Sequence, residues 1–214
     1  FLGGQKGQAL DYLNGLPESF QKQPSILCIL GDVYKDSSYY QKAIESSNGK
    51  FAAAFRALGN YHFVNKDYDL SFGFYKQAVE LNDYSLSSWM RIAFIKMEKG
   101  DFEDAIAAYK KSVWIDESEA GAWTNLAILY RKVNKPQLAF EAIQKAIALK
   151  ERNWYNWYNA VIISLENQNF SWFVRSCLKL AELDKPDRDG KRYPLKPIAK
   201  MIEAWVVAKE RAHS

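Results

Sequence analysis

Large and small apolar side chains recur along residues 52–187 with a period of thirty-four. Three windows, starting at residues 52, 86 and 120, align without a gap, and a fourth, starting at residue 154, matches more weakly. When each window is numbered from one, position 4 is aromatic, position 7 is apolar, and position 8 is small in three windows. Self-similarity at such a period is typical of a helical repeat array. The residues at position 4 are Phe55, Trp89, Trp123 and Trp157.

The spacing inside each window predicts two helices that pack against each other. Positions 4, 7, 8 and 11 share one face of a first helix, and positions 20, 24 and 27 share one face of a second. Small residues at positions 8 and 20 let the helices approach, while large residues at positions 4 and 24 fill the space between them. Asp67 and Asp101 stand where the second helix needs an N-cap, and Pro136 stands at a first helical position, which tolerates proline.

We predict one array over residues 1–214. A shortened repeat, residues 24–51, precedes the full ones. Leu30 and Gly31 align with positions 7 and 8, and Tyr40 and Ala43 align with positions 17 and 20. Because the next repeat already begins at residue 52, this repeat is six residues shorter than the others. The predicted segments are an end helix of a preceding unit (1–23), a short repeat (24–51), four full repeats (52–85, 86–119, 120–153 and 154–187), and a linker with a closing helix (188–214).

The period and the alternation of side-chain size resemble the tetratricopeptide repeat. That resemblance implies an all-α, right-handed superhelical solenoid of antiparallel helix pairs, whose concave groove binds a partner protein or peptide. A narrower resemblance, to the repeat region of the tetratricopeptide repeat protein 27 family, covers residues 24–184. It is carried by LGDVYKDSSYYQKAIE, NKDYDLSFGFYKQAVELN and AWTNLAILYRKVNKPQLAFEAIQKAI, together with Trp154 and Trp157. It implies an intracellular eukaryotic protein, cytoplasmic or nuclear, that acts with chaperones in assembling spliceosomal small nuclear ribonucleoprotein components.

The family's groove is lined by positions 2, 5, 6, 9, 12 and 13 of each first helix. On this resemblance the groove carries three arginines among methionine and aromatic side chains, which suits a peptide with acidic groups and apolar anchors. For the two tyrosines of the groove, ligand contact and intramolecular packing remain equally open, whereas Trp157 is expected in the core. The candidate protein-binding residues are Arg56, Asn60, Met90, Arg91, Phe94, Asn125, Ile128, Arg131, Tyr155 and Tyr158.

The groove does not reproduce the five-residue pattern with which some family members hold the terminal carboxylate of a heat-shock chaperone. The pattern requires lysine, asparagine and arginine at set positions of three successive repeats. One asparagine of the pattern is present, and one arginine stands where the pattern has a lysine. Arginine and lysine differ in hydrogen-bonding geometry. The sequence therefore does not favour a carboxylate clamp. The matching positions hold Arg56, Asn60, Arg91, Gly121 and Asn125.

Composition narrows the classes of function. A hydrophobic content of 48% with 25% charged residues fits a folded chain, and a net charge of +4 is too small to favour nucleic acid or an anionic membrane as a partner. Cys28 and Cys177 lie far apart and belong to no metal-ligand or disulfide pattern, which favours a reducing compartment. No apolar run approaches the roughly twenty residues of a membrane span.

No motif for catalysis is present. The two histidines, His62 and His213, have no serine or cysteine nucleophile in a recognisable arrangement, and the phosphate-binding glycine motifs and the zinc-protease motif do not occur. We therefore expect no enzyme, no cofactor, no metal site and no membrane partner. The expected role is a scaffold for protein or peptide partners.

Two alternatives stay open. In the first, the protein is a structural spacer whose groove is filled by its own flanks or by the closing helix, residues 198–212. In the second, it contacts RNA phosphate through the basic connector 185–200. The chain lacks an initiator methionine, and we expect it to be part of a longer protein. The connector's basic residues are Lys185, Arg188, Lys191, Arg192, Lys196 and Lys200.

Overall fold

The structure, a computed structural model, describes residues 7–8, 11–13 and 15–183, and every structural statement below concerns these residues. The basic connector and the predicted closing helix lie outside them. All regular secondary structure in the described part is helical. The helices are α1 (Glu18–Gln21), α2 (Pro24–Tyr34), α3 (Ser37–Ser46), α4 (Ala52–Val64), α5 (Tyr68–Leu81), α6 (Leu86–Lys99), α7 (Phe102–Ile115), α8 (Ala120–Lys132), α9 (Pro136–Leu149), α10 (Trp154–Glu166) and α11 (Phe170–Leu183).

The chain divides into two compact units, Phe1–Ile115 and Asp116–Ser214, called unit 1 and unit 2 below. Unit 1 contains the helix pairs α2–α3, α4–α5 and α6–α7, and unit 2 contains α8–α9 and α10–α11. In each pair a short turn reverses the chain, so the two helices pack antiparallel. The predicted all-α fold of helix pairs is confirmed, while the prediction of one array over the whole chain stays a prediction.

A residue with positive φ makes the turn in all five pairs, at Lys35 in the first pair and at position 15 in the four full windows. The residue at position 15 has a positive φ: 64° at Lys66, 83° at Gly100, 55° at Asn134 and 54° at Gln168. A left-handed residue at this place ends the first helix and turns the chain into the second. Glycine adopts this conformation without steric cost, which explains its presence in the second full window.

The N-cap predictions at the turns have different outcomes. Pro136 is the first residue of α9, as predicted. Asp67 occupies the N-cap position of α5, but its side chain accepts no capping hydrogen bond. Its carboxylate Oδ2 lies 3.4 Å from Nδ1 of His62 instead. The predicted capping role of Asp67 is therefore wrong, because the histidine one turn earlier competes for the same oxygen.

The contact between small and large residues holds each pair together. A methyl group added at Gly59 (position 8) would lie 3.1 Å from ring atoms of Tyr75 (position 24), which is fully buried. Ser71, at position 20, is also fully buried, and its Oγ donates to the Gly59 carbonyl at 2.9 Å. The helices touch along these positions because no larger side chain keeps them apart.

The first pair is shortened at the turn and not at its end. Tyr40 packs on Gly31 and donates to Asp32, as Tyr75 packs on Gly59 and donates to Asn60. Tyr40 therefore occupies position 24, and the sequence assignment of Tyr40 and Ala43 to positions 17 and 20 is wrong. Gly31 is four residues from the left-handed Lys35, and Gly59 is seven residues from the left-handed Lys66. From these turn residues, Tyr40 is five residues away and Tyr75 is nine. About one helical turn is missing from each helix, so the packing faces keep their register.

Candidate functional site

Two arginines from neighbouring repeats lie near the same tyrosine of unit 1. Arg56 of α4 and Arg91 of α6 are exposed, and neither forms an ion pair with a residue that the structure describes. The positive charges of both arginines affect the pKa of the same group, the hydroxyl of Tyr75. Burial raises the pKa of Tyr75 to about 12, and the charges of Arg91 and Arg56 oppose that rise. Two uncompensated positive charges therefore lie within electrostatic reach of one point on this surface.

Asn60 is fixed between these cations and the core. The hydroxyl of Tyr75 donates to Asn60 Oδ1 at 2.5 Å, while the asparagine itself is exposed. An amide whose oxygen is engaged in this way presents its Nδ2 hydrogens as donors. The sequence groups Asn60 with Arg56 and Arg91, and all three side chains are exposed and carry hydrogen-bond donors.

An aromatic cluster adjoins the cations. Phe94 lies 5.4 Å from Phe63 and 6.4 Å from Tyr68, measured between ring centroids. The guanidinium carbon of Arg91 lies 4.3 Å from the Phe63 centroid, a distance typical of a cation–π contact. Phe94 and Met90 are half-buried, so each still presents apolar surface. Unit 1 thus brings four predicted residues, Arg56, Asn60, Arg91 and Phe94, to the surroundings of Tyr75 and Phe63.

The predicted residues of unit 2 differ in character. Arg131 Nε lies 2.8 Å from each carboxylate oxygen of Glu166, so its charge is compensated within the protein. Asn125 and Ile128 are half-buried on α8. The polar groups of unit 2 are therefore engaged in internal contacts to a greater extent than Arg56 and Arg91 of unit 1.

The segment Trp154–Asn159 divides its side chains between core and surface. Trp157 is 1% exposed and stacks on Trp172 at 6.3 Å, so the prediction that it belongs to the core is confirmed. Tyr155 is 42% exposed, and Tyr158 is half-buried. Both tyrosines make edge contacts with Trp154, at 5.6 and 6.1 Å. Intramolecular packing thus accounts for one side of each ring, and contact with a ligand stays a prediction for the other side.

A family model described as tetratricopeptide repeat matches residues 86–119 and 120–153. These two helix pairs are tetratricopeptide repeats. The chain is 24% identical over 102 residues to tetratricopeptide repeat-containing protein trd-1 of Caenorhabditis elegans, a match covering 48% of this chain and 13% of the relative. It is 28% identical over 81 residues to the tetratricopeptide repeat protein 27 homolog of Dictyostelium discoideum, covering 37% of this chain and 10% of the relative. The chain therefore spans a small part of each relative's length.

Solved structures agree on the fold. PilF of Pseudomonas aeruginosa superposes with a TM-score of 0.72 at 15% identity, covering 85% of this chain and 86% of PilF. MamA superposes with a TM-score of 0.66 at 15% identity, covering 82% of this chain and 95% of MamA. YrrB, described as a TPR protein with an unusual peptide-binding site, gives 0.66 at 14% identity, covering 86% and 93%. Identities this low establish the tetratricopeptide repeat fold alone.

A charged contact recurs between successive repeats and was missed in the sequence. Lysines at position 26 pair with acids at position 32 of the preceding repeat, at 2.5 Å for Lys111–Asp83, 2.9 Å for Lys145–Glu117 and 3.1 Å for Lys179–Glu151. The backbone oxygen of each acid also accepts the indole N–H of a tryptophan at position 4. The constant 28-residue separation of each lysine and acid is a signal that the sequence contains. The tryptophans concerned are Trp89, Trp123 and Trp157.

Asn156 is a second feature that the sequence reasoning missed. It is fully buried, and its amide bridges α8 and α9: Oδ1 accepts from Thr124 at 2.7 Å, and Nδ2 donates to the Ala146 carbonyl at 3.1 Å. Position 3 holds buried small residues in the other full windows, which could have indicated a buried slot. Those residues are Ala54, Ser88 and Ala122.

The described residues supply no group of three or more histidine, cysteine or acidic side chains that could hold a metal ion. Burial raises the pKa of both thiols, to about 11 at Cys28. His62 of α4 stacks on Phe74 of α5, with ring centroids 5.4 Å apart, so it lies between the two helices. None of the helices in this part of the chain has the length and apolar character needed to cross a membrane.

Proposed function

We propose that the chain is a non-enzymatic scaffold that binds an acidic, apolar peptide segment of a partner protein through unit 1. The binding surface is formed by Arg56, Asn60, Met90, Arg91 and Phe94 and is called the arginine face below. The observation that supports it most strongly is the pair of exposed guanidiniums, which have no carboxylate partner among the described residues.

The arrangement suits a carboxylate better than a neutral group. The guanidiniums and the Asn60 amide supply only donors, and a carboxylate supplies only acceptors. Because Tyr75 holds the Asn60 oxygen at 2.5 Å, the amide is oriented before the ligand arrives. An oriented donor loses less conformational entropy on binding.

The apolar part of the ligand would contact Phe94 and Met90. Both side chains are half-buried, and Phe94 packs against the Phe63–Tyr68 cluster, so together they offer apolar surface for a leucine or phenylalanine anchor. Methionine adapts its shape to such anchors, and arginine and aromatic residues dominate the energetics of interfaces. The arginine face therefore combines charge recognition with one apolar contact.

The proposal is tested by fluorescence anisotropy with a labelled peptide of the type Glu-Glu-Leu-Asp-Phe and the intact chain. Arg91→Glu and Phe94→Ala are each expected to weaken binding by about tenfold or more. The matched control is Arg152→Glu, which makes the same charge change at an exposed arginine in unit 2. It should leave the affinity nearly unchanged.

Salt provides an independent check. Binding by two guanidiniums to carboxylates should weaken as salt rises from 0.05 to roughly 0.5 M, because the Debye length shortens. Equal affinities for wild type, Arg91→Glu and Phe94→Ala would reject the arginine face as the binding surface. Retained helical circular dichroism in each variant separates loss of binding from loss of fold.

The partner class follows from resemblance. We propose that the segments bound belong to factors that assemble spliceosomal small nuclear ribonucleoprotein components together with chaperones. The similarity to the Dictyostelium discoideum tetratricopeptide repeat protein 27 homolog supports this, although it covers 37% of the chain. Affinity purification of the full-length protein from cells, as wild type and as Arg91→Glu, tests it. Enrichment of those factors should fall in the variant, and a purification without them would reject the partner class while leaving the anisotropy result standing.

A further inference from the structure

Unit 2 contains a cavity that the proposed function does not use. It has a volume of about 370 Å³ and lies beside the indole of Trp123, between α9 and the loop that precedes α8. Apolar atoms form most of its wall, and one ion pair, Lys145–Glu117, stands at its edge. The residues that line it are Glu117, Ser118, Trp123, Lys145, Ala148 and Leu149.

The same place in the preceding repeat is occupied by the protein's own aromatic side chains. Thirty-four residues before Ser118 and Ala148 stand Tyr84 and Trp114. Their rings lie 5.5 Å apart, and they remain 69% and 62% exposed. Serine and alanine are too small to fill that volume. The cavity is thus the space that an aromatic pair occupies one repeat earlier.

The lysine at position 26 shows what the cavity is suited to hold. In the filled repeat, Lys111 Nζ lies 4.4 Å from the centroid of Trp114 and also pairs with Asp83. In the repeat with the cavity, Lys145 Nζ lies 4.4 Å from the centroid of Trp123 and pairs with Glu117. An aromatic ring placed in the cavity would meet Lys145 as Trp114 meets Lys111, gaining a cation–π contact.

The volume of the cavity and the charge of the neighbouring loop 116–119 also suit an aromatic ring beside a positive charge. A dry apolar cavity of about 150 Å³ already binds benzene, so 370 Å³ accommodates an indole. The loop 116–119 carries three carboxylates, and of these only Glu117 has an ion pair among the described residues. Hydrogen bonds from Ser118 lower the pKa of Asp116, and the side chain of Glu119 accepts from the Gly121 amide. A ligand with a positive charge beside its ring would complement this loop.

We propose that the cavity beside Trp123 is a second protein-binding site, which receives one aromatic side chain from a basic segment of a partner. The site lies on unit 2 and is independent of the arginine face. The aromatic ring supplies the anchor, since a buried ring in a pocket is the common form of an interface hot spot. The basic neighbours of that ring supply attraction to the acidic loop.

The experiment uses the whole chain, the peptide acetyl-Lys-Gly-Trp-Gly-Lys-amide, and isothermal titration calorimetry. The double substitution Ser118→Tyr with Ala148→Trp copies the filled repeat into the cavity and should weaken binding by about tenfold or more. The reverse change, Tyr84→Ser and Trp114→Ala with Asn82→Asp to supply the unpaired loop carboxylate, opens the equivalent place in unit 1 and should raise the stoichiometry from one to two. The opened variant decides the question even if the filled variant fails to fold.

Five results would overturn the proposal, four of them in the titrations. These are unchanged binding by the filled variant, unchanged stoichiometry in the opened variant, equal binding of a peptide with alanine in place of tryptophan, and equal binding of a peptide with leucine there. Sedimentation distinguishes a second copy of the chain as occupant. A dimer that disappears on Trp114→Ala would assign the cavity to self-association and overturn the partner-protein site. Arg91→Glu should leave this binding unchanged, which separates it from the arginine face.

Discussion

One buried side chain, Asn156, connects two helices of unit 2 by hydrogen bonds. The Asn156 amide is fully buried, and both of its polar atoms have partners, Thr124 on α8 and the carbonyl of Ala146 on α9. A buried amide of this kind costs little while it is satisfied, and removing it takes one of two donors from the Ala146 carbonyl, which keeps the backbone N–H of Lys150 at 3.0 Å. Thr124 has a second acceptor within reach, because its single hydroxyl hydrogen is shared between Asn156 Oδ1 and the Ala120 carbonyl, 2.8 Å away.

Asn156→Ala should therefore lower the free energy of unfolding by about 1–3 kcal/mol, since the Ala146 carbonyl loses its side-chain donor and a small cavity forms. Urea unfolding of the single variants and of the double variant with Thr124→Val forms a thermodynamic cycle. We expect a coupling energy of about 0.5–3 kcal/mol. Strictly additive losses would show that the two side chains do not interact.

The contribution of Cys28 to the stability of the fold is expected to depend on pH. Burial, with a smaller effect from Asp32, raises its thiol pKa from the ordinary 9.0 to about 11, while Arg56 opposes the rise. Between these values the unfolded chain has released the proton and the folded chain has kept it. The contribution of Cys28 to folding is thus complete below about pH 9 and is lost as the pH rises towards 11.

We expect iodoacetamide to alkylate Cys28 more slowly in the folded protein than in urea at pH 9, because the thiolate is the reactive form. Mass spectrometry in a Cys177→Ser background measures the two rates. The folded-state rate should rise steeply up to pH 11. A folded-state rate equal to that in urea at pH 9 would contradict the raised pKa.

The starts of the helices follow the thirty-four-residue period of the sequence. The first helices α4, α6, α8 and α10 begin at residues 52, 86, 120 and 154, the first residues of the four windows. Helix positions could be predicted because every window repeats the same local pattern of core residues. The short first pair could not be aligned in this way, since the loss of one turn from each helix leaves the spacing ambiguous until Tyr40 is seen against Gly31.

Two glycine substitutions test this helix packing with opposite signs. A methyl group at Gly31 would lie 2.4 Å from a ring atom of Tyr40, whose ring is buried and whose hydroxyl is bonded to Asp32. Gly31→Ala should cost about 1–3 kcal/mol of stability. Gly73→Ala, in the exposed interior of α5 with no atom within 4 Å, should add about 0.5–1 kcal/mol. Thermal unfolding measures both, and equal effects would contradict the packing of α2 on α3.

Across the chain, the candidate site was less predictable than the fold. The sequence named Arg56, Arg91 and Arg131 alike, but Glu166 compensates only Arg131, across thirty-five residues of sequence. Partners at that distance follow from packing and not from a local pattern. Trp89 and Trp123 are half-buried while Trp157 is fully buried, a difference that the shared position 4 does not reveal. Of these three arginines, only Arg56 and Arg91, both in unit 1, have no carboxylate partner among the described residues.

The most direct measurement of the central claim is a nuclear magnetic resonance titration of the whole chain with the Glu-Glu-Leu-Asp-Phe peptide. The Nε–H signals of Arg56 and Arg91 and the amides around Asn60 and Phe94 should shift together with one dissociation constant, while the Arg131 signal stays in place. Shifts confined to unit 2, or an unperturbed pair of arginine signals at saturating peptide, would contradict binding at the arginine face.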